Sequence, residues 1–416
     1  MDINSLLKSI FADKFEIDER EHQLFISVPY VGTFGLTAFD PAFWLQAFAW
    51  FMVQAVINVT VAVIIYTFIV KQQGSVSSFL VGYGCICPLL VFIPFRIIEA
   101  LDLRNITFML CAAGATPSLL LFRCLEAMHG TLPSFANQSL WNFILYYAST
   151  LQFVFDPKTE KPLPLTRGEL ASRAVSFVSL FVQTTLLYSL LLPYNYSPLP
   201  SREIQGLLDL FYWGNLGNNY LMAYLTGIAL ESGTTGLGIL TSLVSGMRTM
   251  EINHSPLTKS TSPSDFWAQR WDRIVAGGLK RGVFRPLRQC GLSRPFAVLG
   301  TFVVSGLLHE YVLVIMAMRG RMATFHHTDE PYSPTLGKQL SFFLWNGIVV
   351  LLEHLVKGHP LFEWMHRNLP APVRTALVLM TVMPIAFLFT DEYVGCGFYT
   401  DISMGFPRLI LERPAI

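Results

Sequence analysis

Charge is scarce in this sequence. Only 14% of its residues are Asp, Glu, Lys or Arg, whereas a soluble globular domain carries about a quarter. The 29 basic and 28 acidic side chains leave a net charge of +1, so no global field attracts nucleic acid. Cysteine is sparse too: Cys85, Cys87, Cys111, Cys124, Cys290 and Cys396 lie in or beside apolar segments, without the paired spacing of a zinc site. No long polar linker divides the chain. No internal repeat argues for a transporter built from inverted halves, and the N-terminus lacks the basic, apolar and small-residue regions of a cleavable signal. There is also no G-x-S-x-G elbow for a serine nucleophile.

Apolar residues fill the space that charge leaves, at 52% of the chain with 33 Phe. Runs long enough to cross a bilayer, which takes roughly 20 residues, fall at about 46–70, 77–99, 106–124, 174–193, 207–230, 296–318, 340–356 and 373–390. A weaker aromatic piece starts at Trp141, and a Gly-rich one occupies 235–247. The fold class expected is all-α, a polytopic integral membrane bundle of about eight to ten membrane helices, some short or re-entrant. Residues 1–45 are expected to form an N-terminal interfacial segment, in which Ile3, Leu6, Leu7, Ile10 and Phe11 share one face of an amphipathic helix that lies either on the membrane surface or on the protein's own loops. Residues 46–416 form the helical domain.

The least apolar region runs from 248 to 295. Between Arg270 and Arg294 it holds seven basic residues against one acid, Asp272, which places it on the cytosolic side. Ser262 suits an N-cap, Pro263 the first helical position and Asp265 a capping acid. One helix over 263–275 is expected, with Trp267 and Trp271 as interfacial anchors and with Gly277, Gly278 and Gly282 ending it. The cations Arg270, Lys280, Arg281 and Arg285 are candidate ligands for the phosphates of an anionic, lipid-bearing cofactor such as acyl-CoA. Anionic headgroups would be drawn to the same patch.

The run "TFVVSGLLHEYVLVIMAM" (301–318) sets His309 and Glu310 inside a span. Ionisable groups at membrane depth are costly unless they are paired or face a cavity. Ser305 and Gly306 lie one turn below His309 and permit either close helix approach or a substrate channel. A neutral imidazole here can take the proton of an alcohol attacking an acyl group, with no covalent intermediate. A proton relay through His309 and Glu310 would instead suit a transporter.

"SPSDFWAQRWD", "LKRGVFRP" and "SGLLHE" together, within 253–311, resemble the wax synthase-like branch of the membrane-bound O-acyltransferase superfamily. The resemblance implies a helical bundle with an intramembrane tunnel, His309 as the catalytic base, and acyl-CoA as co-substrate without any further cofactor or metal. It implies that Ser305 and Gly306 shape the tunnel wall, and that Asp272 orients donor or acceptor where plant members usually have Asn. The partners implied are acyl-CoA, a lipophilic alcohol (fatty alcohol, sterol, diacylglycerol or small metabolite) and membrane lipid, at the endoplasmic reticulum.

Overall fold

The computed structural model describes residues 23–28, 32–101, 107–156, 158–319 and 333–412, so the helix expected near the N-terminus lies outside the described residues. Among the described residues, one small antiparallel sheet joins residues 23–28 and 32–37 to residues 408–412. Its strands β1 (Gln23–Val28), β2 (Gly32–Thr37) and β3 (Arg408–Glu412) pair in sequence order. Among the described residues between β2 and β3, helices predominate, joined by loops and three isolated β-bridges.

Among the described residues, six helices are long and apolar enough to cross a membrane: α1 (Pro41–Gln72), α2 (Val76–Leu101), α3 (Thr107–Met128), α5 (Arg167–Tyr194), α9 (Arg294–Met316) and α10 (Lys338–Val356). A bent pair, α12 (Ala371–Ile385) and α13 (Phe387–Gly395), meets at 51° and brings the number to seven if counted as one span. That is fewer than the eight to ten expected, and the other expected pieces are shorter or more polar. The Trp141 segment yields only the nine-residue α4 (Leu140–Ala148). The pieces expected at 207–230 and 235–247 fuse into one 33-residue helix, α6 (Trp213–Ser245), because Gly233 between them does not interrupt its backbone bonds.

Lipid-facing surfaces are legible in the packing. Val175, Val178, Val182, Leu186 and Leu190 run down one side of α5 and are all exposed, an apolar stripe turned outward rather than inward. Helix α3 is the central element: 56% of its most apolar window is buried, against 17–33% for the other spans. It lies against α9, where Gly114 allows the approach; a Cβ there would sit 3.0 Å from Ile315 Cδ1.

The basic region departs from the single helix expected. Ser262 caps as anticipated, its Oγ accepting from Asp265 N at 3.2 Å, and α7 covers 263–270. The backbone then breaks at Trp271 and Asp272, and α8 covers 273–289 without a stop at the glycines. Those glycines serve close packing. A Cβ on Gly282 would meet the Phe122 backbone oxygen of α3 at 2.6 Å, and one on Gly277 would meet the Gln152 side chain.

Candidate active site

His309 lies 15 residues into α9, about 22 Å along the helix from Arg294. Its ring is clamped on three sides. Phe343 of α10 stacks on one face at 4.7 Å and 11°, and Phe389 of α13 meets it edge-on at 5.1 Å. Nδ1 lies 3.2 Å from the Tyr393 hydroxyl, while Nε2 has no hydrogen-bond partner among the described residues. The residue keeps partial exposure despite this enclosure. A held ring with one nitrogen satisfied and the other open is suited to moving a proton.

Glu310 has different work. Its Oε1 accepts from Gly337 N at 2.8 Å and Leu340 N at 3.0 Å, so it caps the first turn of α10 from the neighbouring helix. Further braces fix the same turn: Lys338 pairs with Glu392 of α13 at 2.6 Å, and Gln339 donates to the carbonyls of Leu388 and Phe389. The element that carries Phe343 onto His309 is therefore anchored at its start to both α9 and α13.

Ser305 and Gly306 are buried. A Cβ at Gly306 would stand 2.8 Å from Leu340 Cα, and one on Gly347 would stand 2.9 Å from Phe302 Cβ. Close helix contact, the other use foreseen for Gly306, is the one it has. It belongs to the α9–α10 seam.

Helix α7 reaches the same cluster from the other side. Trp267 lies within 5.8–6.1 Å, between ring centroids, of Phe302, Phe342 and Phe343, and its Nε1 donates to Asn346 at 3.2 Å. Trp267 is thus a packing residue inside the bundle, not a headgroup anchor. At the far end of α10, Glu353 accepts from both the backbone N and the hydroxyl of Ser264 at 2.7 Å. Phe343, Trp267, Phe266 and Trp271 form a continuous aromatic wall from His309 toward Asp272.

Asp272 stands at the break, in the left-handed region at φ 37°, with its Oδ1 accepting from Val275 N at 3.1 Å as the N-cap of α8. Its own N–H donates to Asn253 Oδ1. Burial pushes its carboxyl up to about 6, against the pull of the Val275 and Ile274 N–H groups. No hydrogen bond joins it to His309. Asp and Asn are the residues that combine left-handed backbone tolerance with a capping oxygen, so either type suits this position on local grounds alone.

The expected phosphate ligands separate. Arg281 is committed to a buried ion pair with Glu126 at 3.2 Å. Arg270 bonds Asp265 at 2.7 Å and the His254 carbonyl at 3.1 Å, yet it also lines a polar cavity of about 210 Å³ with His254, Asp265, Gln269 and Arg273. Lys280 and Arg285 are exposed. Arg273 and His254 were not foreseen as a set, because they flank the motif 19 residues apart and meet only through the chain reversal. A second, apolar cavity of about 200 Å³ lies behind α9, bounded by Pro117, Phe122, Leu307, Leu308 and Tyr311. His309 lines neither cavity.

Residues 252–327 match the model of the "Membrane bound O-acyl transferase family". Among curated relatives, acyl-CoA–sterol O-acyltransferase 1 of Arabidopsis thaliana is 32% identical over 145 residues, 33% of this chain and 37% of that protein. The probable long-chain-alcohol O-fatty-acyltransferase 7 of the same plant is 28% identical over 296 residues, covering 67% of this chain and 74% of that protein. Its probable long-chain-alcohol O-fatty-acyltransferase 9 is 36% identical over 106 residues, 24% of this chain and 27% of the relative. The chain thus spans little more than a third of the first relative's length, and about three-quarters of the second's. The likeness to the wax synthase-like branch extends well beyond the motif.

Proposed function

We propose that this multi-pass membrane protein, a relative of the wax synthase-like O-acyltransferases, transfers a fatty acyl group from acyl-CoA to the hydroxyl of a lipophilic alcohol. The observation that carries the reading is the His309 ring, fixed by Phe343, Phe389 and Tyr393 with Nε2 unengaged. His309 acts as general base: Nε2 takes the proton of the acceptor hydroxyl as its oxygen attacks the thioester carbonyl, and the thiolate of CoA leaves. No side chain of this chain is acylated on the way. The polar cavity of His254, Arg270 and Arg273 suits the phosphate-bearing head of the donor, since guanidinium groups bind phosphate bidentately. Asp272 has a supporting part, setting the reversal between α7 and α8 that brings Arg270 and Arg273 together.

The long-chain alcohol is the first-choice acceptor, giving a wax ester. A sterol is the second choice, favoured by the 32% identity to the sterol acyltransferase. A cytosolic thioester donor and a membrane-dissolved product fit the endoplasmic reticulum. The test is an acyl-transfer assay on membranes holding equal amounts of the protein and of its His309→Ala variant, with labelled oleoyl-CoA. Hexadecanol, a sterol, a diacylglycerol and a short alcohol serve as acceptors. Ester formation by the parent is expected, with a fall of about 10²–10⁴-fold in the variant. Equal rates would remove His309 from the chemistry, and no ester from any acceptor would favour proton-coupled transport.

A further inference from the structure

A neutral imidazole carries one ring proton, and the hydrogen bond made by one nitrogen decides which nitrogen holds it. At His309 the surroundings are asymmetric. Tyr393 Oη lies 3.2 Å from Nδ1, and no described residue bonds Nε2. Tyr393 is itself buried and held firmly. Its ring stacks on Phe389 at 5.0 Å and meets Phe398 edge-on at 5.4 Å, and the adjacent Glu392 is tied to Lys338 and to Thr335 N. Because Phe389 touches both rings, the histidine and the tyrosine share a wall, and their separation is fixed by packing.

We propose that Tyr393 is the positioning residue of His309, its hydroxyl oxygen accepting the Nδ1 proton and so reserving the Nε2 lone pair for the substrate. The proposal rests on the acyl-transfer reading of His309. A phenol suits this task at membrane depth because it accepts a hydrogen bond without carrying a charge, and an uncompensated carboxylate there is costly. In the reaction the acceptor hydroxyl gives its proton to Nε2 while its oxygen forms the new C–O bond. The tetrahedral adduct then expels the CoA thiolate as the C–S bond breaks, and the thiolate recovers the proton from Nε2. The Nδ1 proton stays in place throughout. Its bond to Tyr393 strengthens while the ring is cationic, because hydrogen bonds from charged donors are the stronger kind. The opposite polarity, with the tyrosine donating to Nδ1, would place the proton on Nε2 and disable it as a base.

The test uses the full-length protein in detergent–lipid micelles, labelled oleoyl-CoA and an acceptor that the parent esterifies. Tyr393→Phe keeps the ring and removes the hydroxyl. It is expected to lower kcat by about 10- to 150-fold, the worth of one hydrogen bond to a charged group, with KM for oleoyl-CoA unchanged and no further loss when added to His309→Ala. If Tyr393→Phe does not fold, 3-fluorotyrosine at position 393 keeps the hydroxyl but weakens its oxygen as an acceptor, and a smaller fall in kcat alone is expected. Unchanged or raised kcat in these Tyr393 variants, with His309→Ala inactive, overturns the assignment of Tyr393 and leaves the base intact. An active His309→Ala overturns the acyl-transfer role of His309 itself.

Discussion

Asp272 shows how one side chain can satisfy a local and a chemical demand together. It sits at positive φ, caps α8, and is buried enough that its carboxyl is pushed up to about 6. An acid whose folded value lies above its unfolded one binds protons more tightly in the native state. Its stabilising contribution is therefore full below about pH 4 and lost as pH rises through 6. Asp272→Asn keeps the capping oxygen and the left-handed tolerance while removing the ionisation. Thermal unfolding in detergent at pH 4, 5, 6 and 7 should show the variant gaining on the parent as pH rises; parallel curves would mean that the carboxylate is not disfavoured. Its ester-forming rate should stay within about tenfold of the parent if hydrogen bonding suffices, whereas a loss on the scale of His309→Ala would assign Asp272 an electrostatic part in the chemistry. The Asp272 position was legible only through the motif that carries the family resemblance, since the capping signals of Ser262, Pro263 and Asp265 mark the start of α7 and not the break. Tyr393 was not, since it meets His309 across 84 residues and nothing local to "TDEYVGCG" singles it out.

At the scale of elements, α10 organises the site. Glu310 caps its start, Glu353 near its end caps α7, and Phe342 and Phe343 between them face α7, α9 and α13. Two buried or half-buried carboxylates of apolar segments are thus explained by backbone N–H groups that would otherwise be orphaned at helix ends. The run 301–318 displays the ionisable pair His309 and Glu310 and allows a proton relay as their joint role, because a partner on another helix is invisible in one span. The two roles make different predictions. Glu310→Gln retains an oxygen that can accept from Gly337 and Leu340, so stability and ester formation should remain near parental levels. Glu310→Ala should lower stability by about 1 kcal/mol, the usual cost of a lost cap, and lower the rate through a loosened Phe343. A Gln variant as inactive as His309→Ala would restore the relay. Helix length and placement were legible for most spans because a bilayer imposes long apolar runs. The break at Trp271 and Asp272 was hidden because the residue types on both sides are compatible with a continuous helix.

For the molecule as a whole, the sheet and the residues that lead into β3 close the bundle. Strand β3 extends the sheet begun by β1 and β2, Leu409 N donates to Ser189 of α5 at 2.8 Å, and Trp44 near the start of α1 donates to the Gly405 carbonyl at 2.8 Å. Phe406 packs against Phe181, Tyr188 and Trp44 in the same core that holds Val312, Leu313, Ile315, Met316 and Tyr393. The C-terminal segment therefore supports the C-terminal end of α9 and the helix that carries Tyr393, although it lies about a hundred residues beyond the motif. None of this was foreseen: "PRLILERPAI" is too short for a span, and its strand forms only by pairing with residues near the other end of the chain. Removing residues 407–416 leaves β2 with an unpaired edge and Ser189 without its backbone donor. The truncated protein should unfold several degrees lower in detergent and lose ester-forming activity in proportion to the unfolded fraction, with KM for oleoyl-CoA unchanged in the folded remainder. The measurement is a thermal scan paired with single-temperature kinetics. A truncation that kept full stability would show that the bundle closes without the sheet, and a rise in KM at full stability would place the segment on the donor's path instead.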